Sequence, residues 1–395
     1  MKRIIAFILA FVLLSVCVSA ELLKDENLFL SDEEFMDWAI PTSGTALNLK
    51  SAGAILMEAE TGEVLFEKSP DEPMPIASVT KIMTILLVME ALDGGVIKLD
   101  DPVTVSENAA SMGGSQAWME PGEVLSVHEM LKAVVVSSCN DGAVALAEHL
   151  AGSEAEFVRR MNERAAELGM TNTRFVNCTG LDDFEMHTST ARDVAIMSRE
   201  LIGHEKIFEY TTIWMDSIRN GAFGLTNTNK LIRFYNGANG LKTGSTSKAK
   251  FCLSATAKRG ETQLIAVVLG GPTSAERFSD AKALLDYGFA NFAVYHPSPL
   301  DVAEVRVKGG KKPCVKIEST PTPILVKKGL EGKVEAQVVL ADKVTAPVEK
   351  GQTVGEIRYV ANGEMIASNK IVTTEGVERS GFFDIFISLL KNVIQ

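Results

Sequence analysis

The strongest constraint on the fold is the order in which two periodicities occur along the chain. Residues 53–58 and 64–67 read as strands about the turn Glu60-Thr61-Gly62-Glu63, a hairpin. Strand character then gives way until residues 251–257 and 262–269, which flank Lys258-Arg259-Gly260-Glu261. Between them helical spacing dominates. Residues 78–92 are apolar nearly all round, as a buried helix is. Residues 127–136, 141–150, 153–168 and 190–202 also have helical spacing, with Ser153 and Glu156 forming a capping-box pattern. A closing helix is expected over 274–289. An isolated hairpin is marginal in water, so strands from both ends of this stretch are expected to share one antiparallel sheet around an all-helical insert. The fold class expected is α+β.

At 395 residues the chain exceeds one ordinary core, and two domains are expected. Lys2 and Arg3, an apolar run over 4–18 and the small residues Val18-Ser19-Ala20 make residues 1–20 a secretory signal peptide. Residues 21–50 read as a flexible lead-in, and 51–295 as the unit that carries the chemistry. His296-Pro297-Ser298-Pro299 looks like a linker. Alternating runs over 300–375, separated by Gly309-Gly310, Glu349-Lys350-Gly351 and Asn362-Gly363, predict a small all-β domain. In the tail, 378–395, Phe382, Phe383, Phe386, Leu389, Leu390 and Val393 fall on one helical face, and Asp384, Ser388, Lys391 and Gln395 on the other. That helix is too short to span a bilayer, so the expectation is an amphipathic helix lying on a membrane surface. The formal charge of −12 argues against a nucleic-acid partner. Cys139, Cys178, Cys252 and Cys314 form no CxxC pair, which speaks against a zinc site or a disulfide framework. The sequence sets no oligomeric state.

The chemistry centres on Pro75-Ile76-Ala77-Ser78-Val79-Thr80-Lys81. Residues three apart on a helix share a face, so Lys81 can reach Ser78 and act on its hydroxyl. Ser-x-x-Lys is a weak signal, found at Ser78, Ser245, Ser247, Ser279 and Ser388, but Ser78 alone starts a long buried helix behind a hairpin. Ser-x-Asn occurs at Ser106, where Ser106-Glu107-Asn108 reads as a helix cap, and at Ser138-Cys139-Asn140. Lys242-Thr243-Gly244 occurs once. Taken singly, these could be a cap, a surface lysine and a turn. Their ordered set is the pattern of penicillin-recognising serine enzymes.

On these motifs, with Phe175-x-Asn177 and Thr179-Gly180-Leu181, the chain resembles the low-molecular-mass penicillin-binding proteins, the serine D-alanyl-D-alanine carboxypeptidases. The resemblance runs from about Ala52 to the C-terminus. It implies a serine β-lactamase/DD-peptidase-like domain followed by the β domain and tail, at the outer face of the cytoplasmic membrane. It implies Ser78 as nucleophile, Lys81 as its base and Ser138 as a bridge between Lys81 and Lys242. Asn140, Lys242, Thr243, Gly244 and Ser245 would bind substrate, and the N–H groups of Ser78 and Ser245 would receive the oxyanion. Gly244 is read as leaving room for a substrate backbone. Peptidoglycan stem peptides and β-lactams are the implied ligands, without metal or organic cofactor. Two rivals share the motifs: a β-lactamase, which needs a carboxylate-activated water, and a non-catalytic peptidoglycan-binding protein. Asp141 reads as a helix N-terminal charge and His187 as a structural loop residue.

Overall fold

The computed structural model describes residues 47–181, 186–299, 304–382 and 384. The signal peptide, most of the lead-in and nearly all of the tail helix lie outside the described residues. The chain divides into two compact units, one spanning Ile40–Phe292 and one containing Ala293–Gln395.

In the first unit, β1 (Gly53–Glu58) and β2 (Val64–Lys68) form the expected hairpin, and β7 (Ala238–Thr246), β8 (Lys250–Arg259) and β9 (Thr262–Gly271) complete one sheet. The order is β2-β1-β9-β8-β7, antiparallel throughout. The first and last strands in sequence thus share a sheet because β1 pairs with β9, Ile55 opposite Val267. The mixed α+β reading holds.

The helices are α1 (Lys81–Asp93), α2 (Glu107–Ala110), α3 (Val127–Ser137), α4 (Asn140–Ala151), α5 (Glu154–Glu167), α6 (Ala191–Gly203), α7 (Phe208–Thr211), α8 (Leu231–Phe234) and α9 (Ser274–Asn291). Serine and threonine hydroxyls cap five of them: Ser106, Ser126, Ser153, Thr190 and Thr273 each accept from the backbone N–H three residues on. Helix α1 is the core of the unit. Ile82, Met83, Leu86 and Met89 are buried with Leu131, Val134, Val144, Phe157 and Met197 in one cluster.

Several details depart from the sequence reading, among them the strands β5 (Met215–Ile218), β6 (Phe223–Thr226) and β7, which precede residue 251. Residues 102–104 and 124–126, read as part of a helical stretch, pair as the short strands β3 (Pro102–Thr104) and β4 (Val124–Ser126). The helix expected to start at Ser78 starts at Lys81, preceded by a 3-10 turn over Ala77–Thr80. Ala77 stands at φ +48, outside the range of any right-handed helix, and Ser78 follows it on the tighter turn. A further hairpin joins β5 (Met215–Ile218) and β6 (Phe223–Thr226).

Apart from a 3-10 turn over Glu331–Lys333, the described elements of the second unit are β-strands. They are β10 (Phe292–Tyr295), β11 (Glu304–Lys308), β12 (Cys314–Glu318), β13 (Ile324–Lys327), β14 (Val334–Leu340), β15 (Lys343–Thr345), β16 (Thr353–Ala361) and β17 (Glu364–Thr373). A six-stranded sheet runs β14-β16-β17-β12-β11-β15, and β10 pairs with β13. Val305, Val315, Ile317, Val354, Ile357, Tyr359 and Ile371 form its core. Asn362 (φ +52) and Gly363 (φ +86) make the two-residue turn between β16 (Thr353–Ala361) and β17 (Glu364–Thr373), the Asn-Gly signal of a primed hairpin.

Candidate active site

Ser78 is half-buried at the end of the loop that leaves β2, and Lys81 is wholly buried one turn on. Lys81 Nζ lies 2.9 Å from Ser78 Oγ, 2.5 Å from Asn140 Oδ1 and 2.8 Å from the carbonyl oxygen of Thr179. Asn140 is the first residue of α4, so its carboxamide projects from the helix start. Its Nδ2 donates to the Gly113 carbonyl at 2.7 Å, which turns Oδ1 toward the lysine. Burial draws the Lys81 amine down to about 7, against the opposing pull of Cys178, Cys139 and Asp141.

The Thr179 carbonyl is presented by a loop that Asn177 organises. Asn177 Oδ1 accepts from the N–H groups of Thr179 (3.1 Å) and Gly180 (2.7 Å), and its Nδ2 donates to Leu181 O at 3.1 Å. Gly180 has φ +82, and a Cβ there would overlap the carbonyl of Ala77. Only glycine meets both demands. These residues belonged to the sequence resemblance without a stated role.

Ser138 closes α3 at φ +63 and is 4% exposed. Among the described residues none hydrogen-bonds its Oγ, so the expected bridge between the two lysines is not formed in this structure. Lys242, on β7, is 1% exposed and donates to the Thr243 carbonyl at 3.0 Å. Burial, then the nearby charges of Lys81 and Arg277, holds its amine well below the usual lysine range. Thr243 Oγ1 donates to Thr228 Oγ1 at 2.7 Å, and Thr228 N–H donates to Val136 O on α3 at 3.1 Å. Ser245 is exposed on the same strand.

Gly244 is where β7 meets the serine turn. A Cβ there would stand 2.6 Å from Ile76 O, 2.9 Å from Val79 N and 3.0 Å from Ser78 N. The glycine makes room for the protein's own nucleophile turn, a demand the sequence did not reveal. The three motif segments therefore converge: the first meets the second through Lys81 and Asn140, the second meets the third through Thr228, and the third presses on the first at Gly244.

Sequence reasoning passed over Arg277 on α9. It is 6% exposed, lies over the rings of Phe251 and Phe278, and donates to the carbonyls of Gly244 (3.1 Å) and Cys252 (3.2 Å). Burial lowers its guanidinium to about 10. The Ser-x-x-Lys match at Ser279 falls on the same helix, but no motif includes Arg277 itself.

Asp141 is buried and accepts from the N–H groups of Ala117 (2.9 Å), Met119 (3.2 Å) and Gly142 (2.9 Å). It is a backbone anchor, as its place at a helix start suggested. His187 is 5% exposed; its Nδ1 accepts from Val176 N–H at 3.2 Å and its Nε2 lies 2.7 Å from Thr80 Oγ1. Burial pushes the Cys139 thiol up to about 12 and the Cys178 thiol up as well, so neither competes as a nucleophile at neutral pH.

The family model for D-alanyl-D-alanine carboxypeptidase matches residues 40–273, more than half of the chain. The chain belongs to the D-alanyl-D-alanine carboxypeptidase family. The model of the penicillin-binding protein 5 C-terminal domain matches 300–379. The D-alanyl-D-alanine carboxypeptidase DacF of Bacillus subtilis (strain 168) is 44% identical over 360 residues, 89% of this chain and 91% of that protein. DacC of Escherichia coli (strain K12), of the same description, is 37% identical over 83% of this chain and 84% of its own. Among solved structures, penicillin-binding protein 5 from Haemophilus influenzae superposes with a TM-score of 0.77 at 32% identity, covering 85% of this chain and all of that one. Penicillin-binding protein D2 from Listeria monocytogenes, solved in an ampicillin-bound form, is similar over 62% of this chain, with TM-score 0.55 and 34% identity. The α+β architecture and the family read from the sequence both hold for this carboxypeptidase family member.

Proposed function

We propose that this family member removes the terminal D-alanine from peptidoglycan stem peptides ending in D-Ala-D-Ala, through an ester at Ser78. The observation that carries the reading is the set of partners around Lys81 Nζ. A neutral amine has two N–H donors and one lone pair. The Asn140 Oδ1 and Thr179 O acceptors take the two donors, which leaves the lone pair for the Ser78 hydroxyl proton. An amine near 7 supplies that neutral form at physiological pH.

Ser78 Oγ then bonds to the carbonyl carbon while Lys81 takes its proton. The Ser78 N–H, on the 3-10 turn ahead of α1, and the N–H of Ser245 receive the oxyanion. Collapse breaks the amide C–N bond. The proton held by Lys81 passes through the free hydroxyl of Ser138 to the leaving D-alanine nitrogen. Water then cleaves the ester and restores Ser78. Lys242, Thr243 and Ser245 would bind the terminal carboxylate, whose charge would bring the depressed Lys242 back toward its cationic form. Penicillins would acylate Ser78 through their strained amide. Asp141, already engaged by three N–H groups, is poorly placed to activate a hydrolytic water, which disfavours rapid β-lactam turnover.

The leader at 1–20 and the tail at 378–395 support export and attachment to the outer face of the cytoplasmic membrane. Among the described residues no helix is long and apolar enough to cross a membrane. Flotation with lipid vesicles, with and without 378–395, tests the attachment.

The chemical test is free D-alanine released from a capped peptide ending in D-Ala-D-Ala, together with the mass of the protein after penicillin treatment. The reading expects release, one adduct per chain at Ser78, and neither in Ser78→Ala. No release, or an adduct that persists in Ser78→Ala, overturns it.

A further inference from the structure

Trp118 is a tryptophan held where tryptophan is least expected. Its backbone has φ +54, the sparsely populated left-handed region that bulky residues avoid. Its side chain is nonetheless 72% exposed, while Ala117 and Met119 on either side are 0% and 4% exposed. The indole thus projects from between two buried neighbours.

The conformation is fixed from two directions. Asp141 accepts from the N–H groups of Ala117 and Met119, which flank the tryptophan. Arg219, in the turn between β5 and β6, donates to Ala117 O at 2.8 Å and Trp118 O at 3.3 Å, and is itself held by Glu123 at 2.5 Å. Asp141 follows Asn140, whose carboxamide contacts Lys81. Asn140 also donates to the same loop, from N to Ser115 O and from Nδ2 to Gly113 O, both at 2.7 Å. The loop that displays the indole is thus bonded to the residue beside the base. Strain kept by such an over-determined backbone points to a use for the side chain.

We infer that Trp118 is a specificity residue that packs on the stem-peptide residues preceding the scissile D-Ala-D-Ala bond. This rests on the hydrolytic reading of the site given above. Contact with remote parts of a donor is realised as kcat/KM for long donors relative to short ones.

The test compares two donors, a full stem pentapeptide and a capped tripeptide ending in D-Ala-D-Ala, by release of D-alanine. In Trp118→Gly the backbone strain is relieved, so the variant is expected to melt no lower than wild type. Its long-to-short ratio of kcat/KM is expected to fall about tenfold, the scale of losing one buried aromatic contact. Trp118→Phe is expected to keep most of the ratio. An unchanged ratio in Trp118→Gly overturns the inference, as does an equal loss for both donors. Absence of release by the wild-type protein would instead defeat the hydrolytic reading, a result distinct from either.

Discussion

Replacing Gly244 by alanine puts the interlock of the three segments to a sharp test. The added methyl would stand 2.6 Å from Ile76 O, 2.9 Å from Val79 N and 3.0 Å from Ser78 N, all of them backbone atoms. No side chain can swing aside, so β7 and the serine turn must separate by roughly 0.9 Å to bring the 2.6 Å contact to an ordinary one near 3.5 Å. Forcing one methyl into a packed interior costs about 1–3 kcal/mol. At about 2–4 °C per kcal/mol for a domain of this size, the melting temperature should fall by roughly 2–12 °C. Separation also shifts Ser78 N–H relative to Lys242 and Ser245, and a misplacement approaching 1 Å costs on the order of a hundredfold in rate. Stopped-flow acylation by a fluorescent penicillin, paired with a thermal melt, reads both effects. A variant that acylates at the wild-type rate would refute the claim that β7 positions the nucleophile turn.

Asn140→Asp places a carboxylate where Oδ1 lies 2.5 Å from Lys81 Nζ. Its charge favours the ammonium, so acylation at pH 7 should drop about tenfold or more and its rising limb should move to higher pH; an unmoved limb contradicts the pairing. Gly180→Ala must adopt φ +82 and drive its Cβ into the Ala77 carbonyl, within 2.8 Å of Thr80 Oγ1. It is expected to lose about 2–4 kcal/mol, read as a lower melting temperature, and wild-type melting would show that the loop is free to move.

Much of this was legible in the sequence because it depended on short-range spacing. The reach of Lys81 to Ser78 follows from three residues of helix, and the observed 2.9 Å agrees. The hairpins at both ends of the first unit were visible as short apolar runs about polar turns, and their union in one sheet followed from the burial each needed. What spacing does not encode is which distant backbone meets the site. Nothing local marks Thr179 O as an acceptor for Lys81, because a carbonyl is common to every residue. The need for glycine at 180 and 244 lies in Ala77 and Ile76, far off in sequence. The strands at 102–104 and 124–126 are too short to show a period against the helical pattern around them. The positive φ of Ala77, where the chain enters the 3-10 turn under Ser78, is something no propensity for alanine anticipates.

The account turns on Lys81 being neutral when it meets the Ser78 hydroxyl, and the pH dependence of acylation measures this most directly. The base form of a lysine is its neutral form, whose fraction grows as pH rises through the folded-state value. With that value drawn from 10.5 to about 7 by burial, the penicillin acylation rate of the wild-type protein should climb tenfold per pH unit below 7 and level off above it. A rate that stays flat through pH 7 and climbs only toward pH 10 would mean that Lys81 remains an ammonium ion, and that some other group takes the proton.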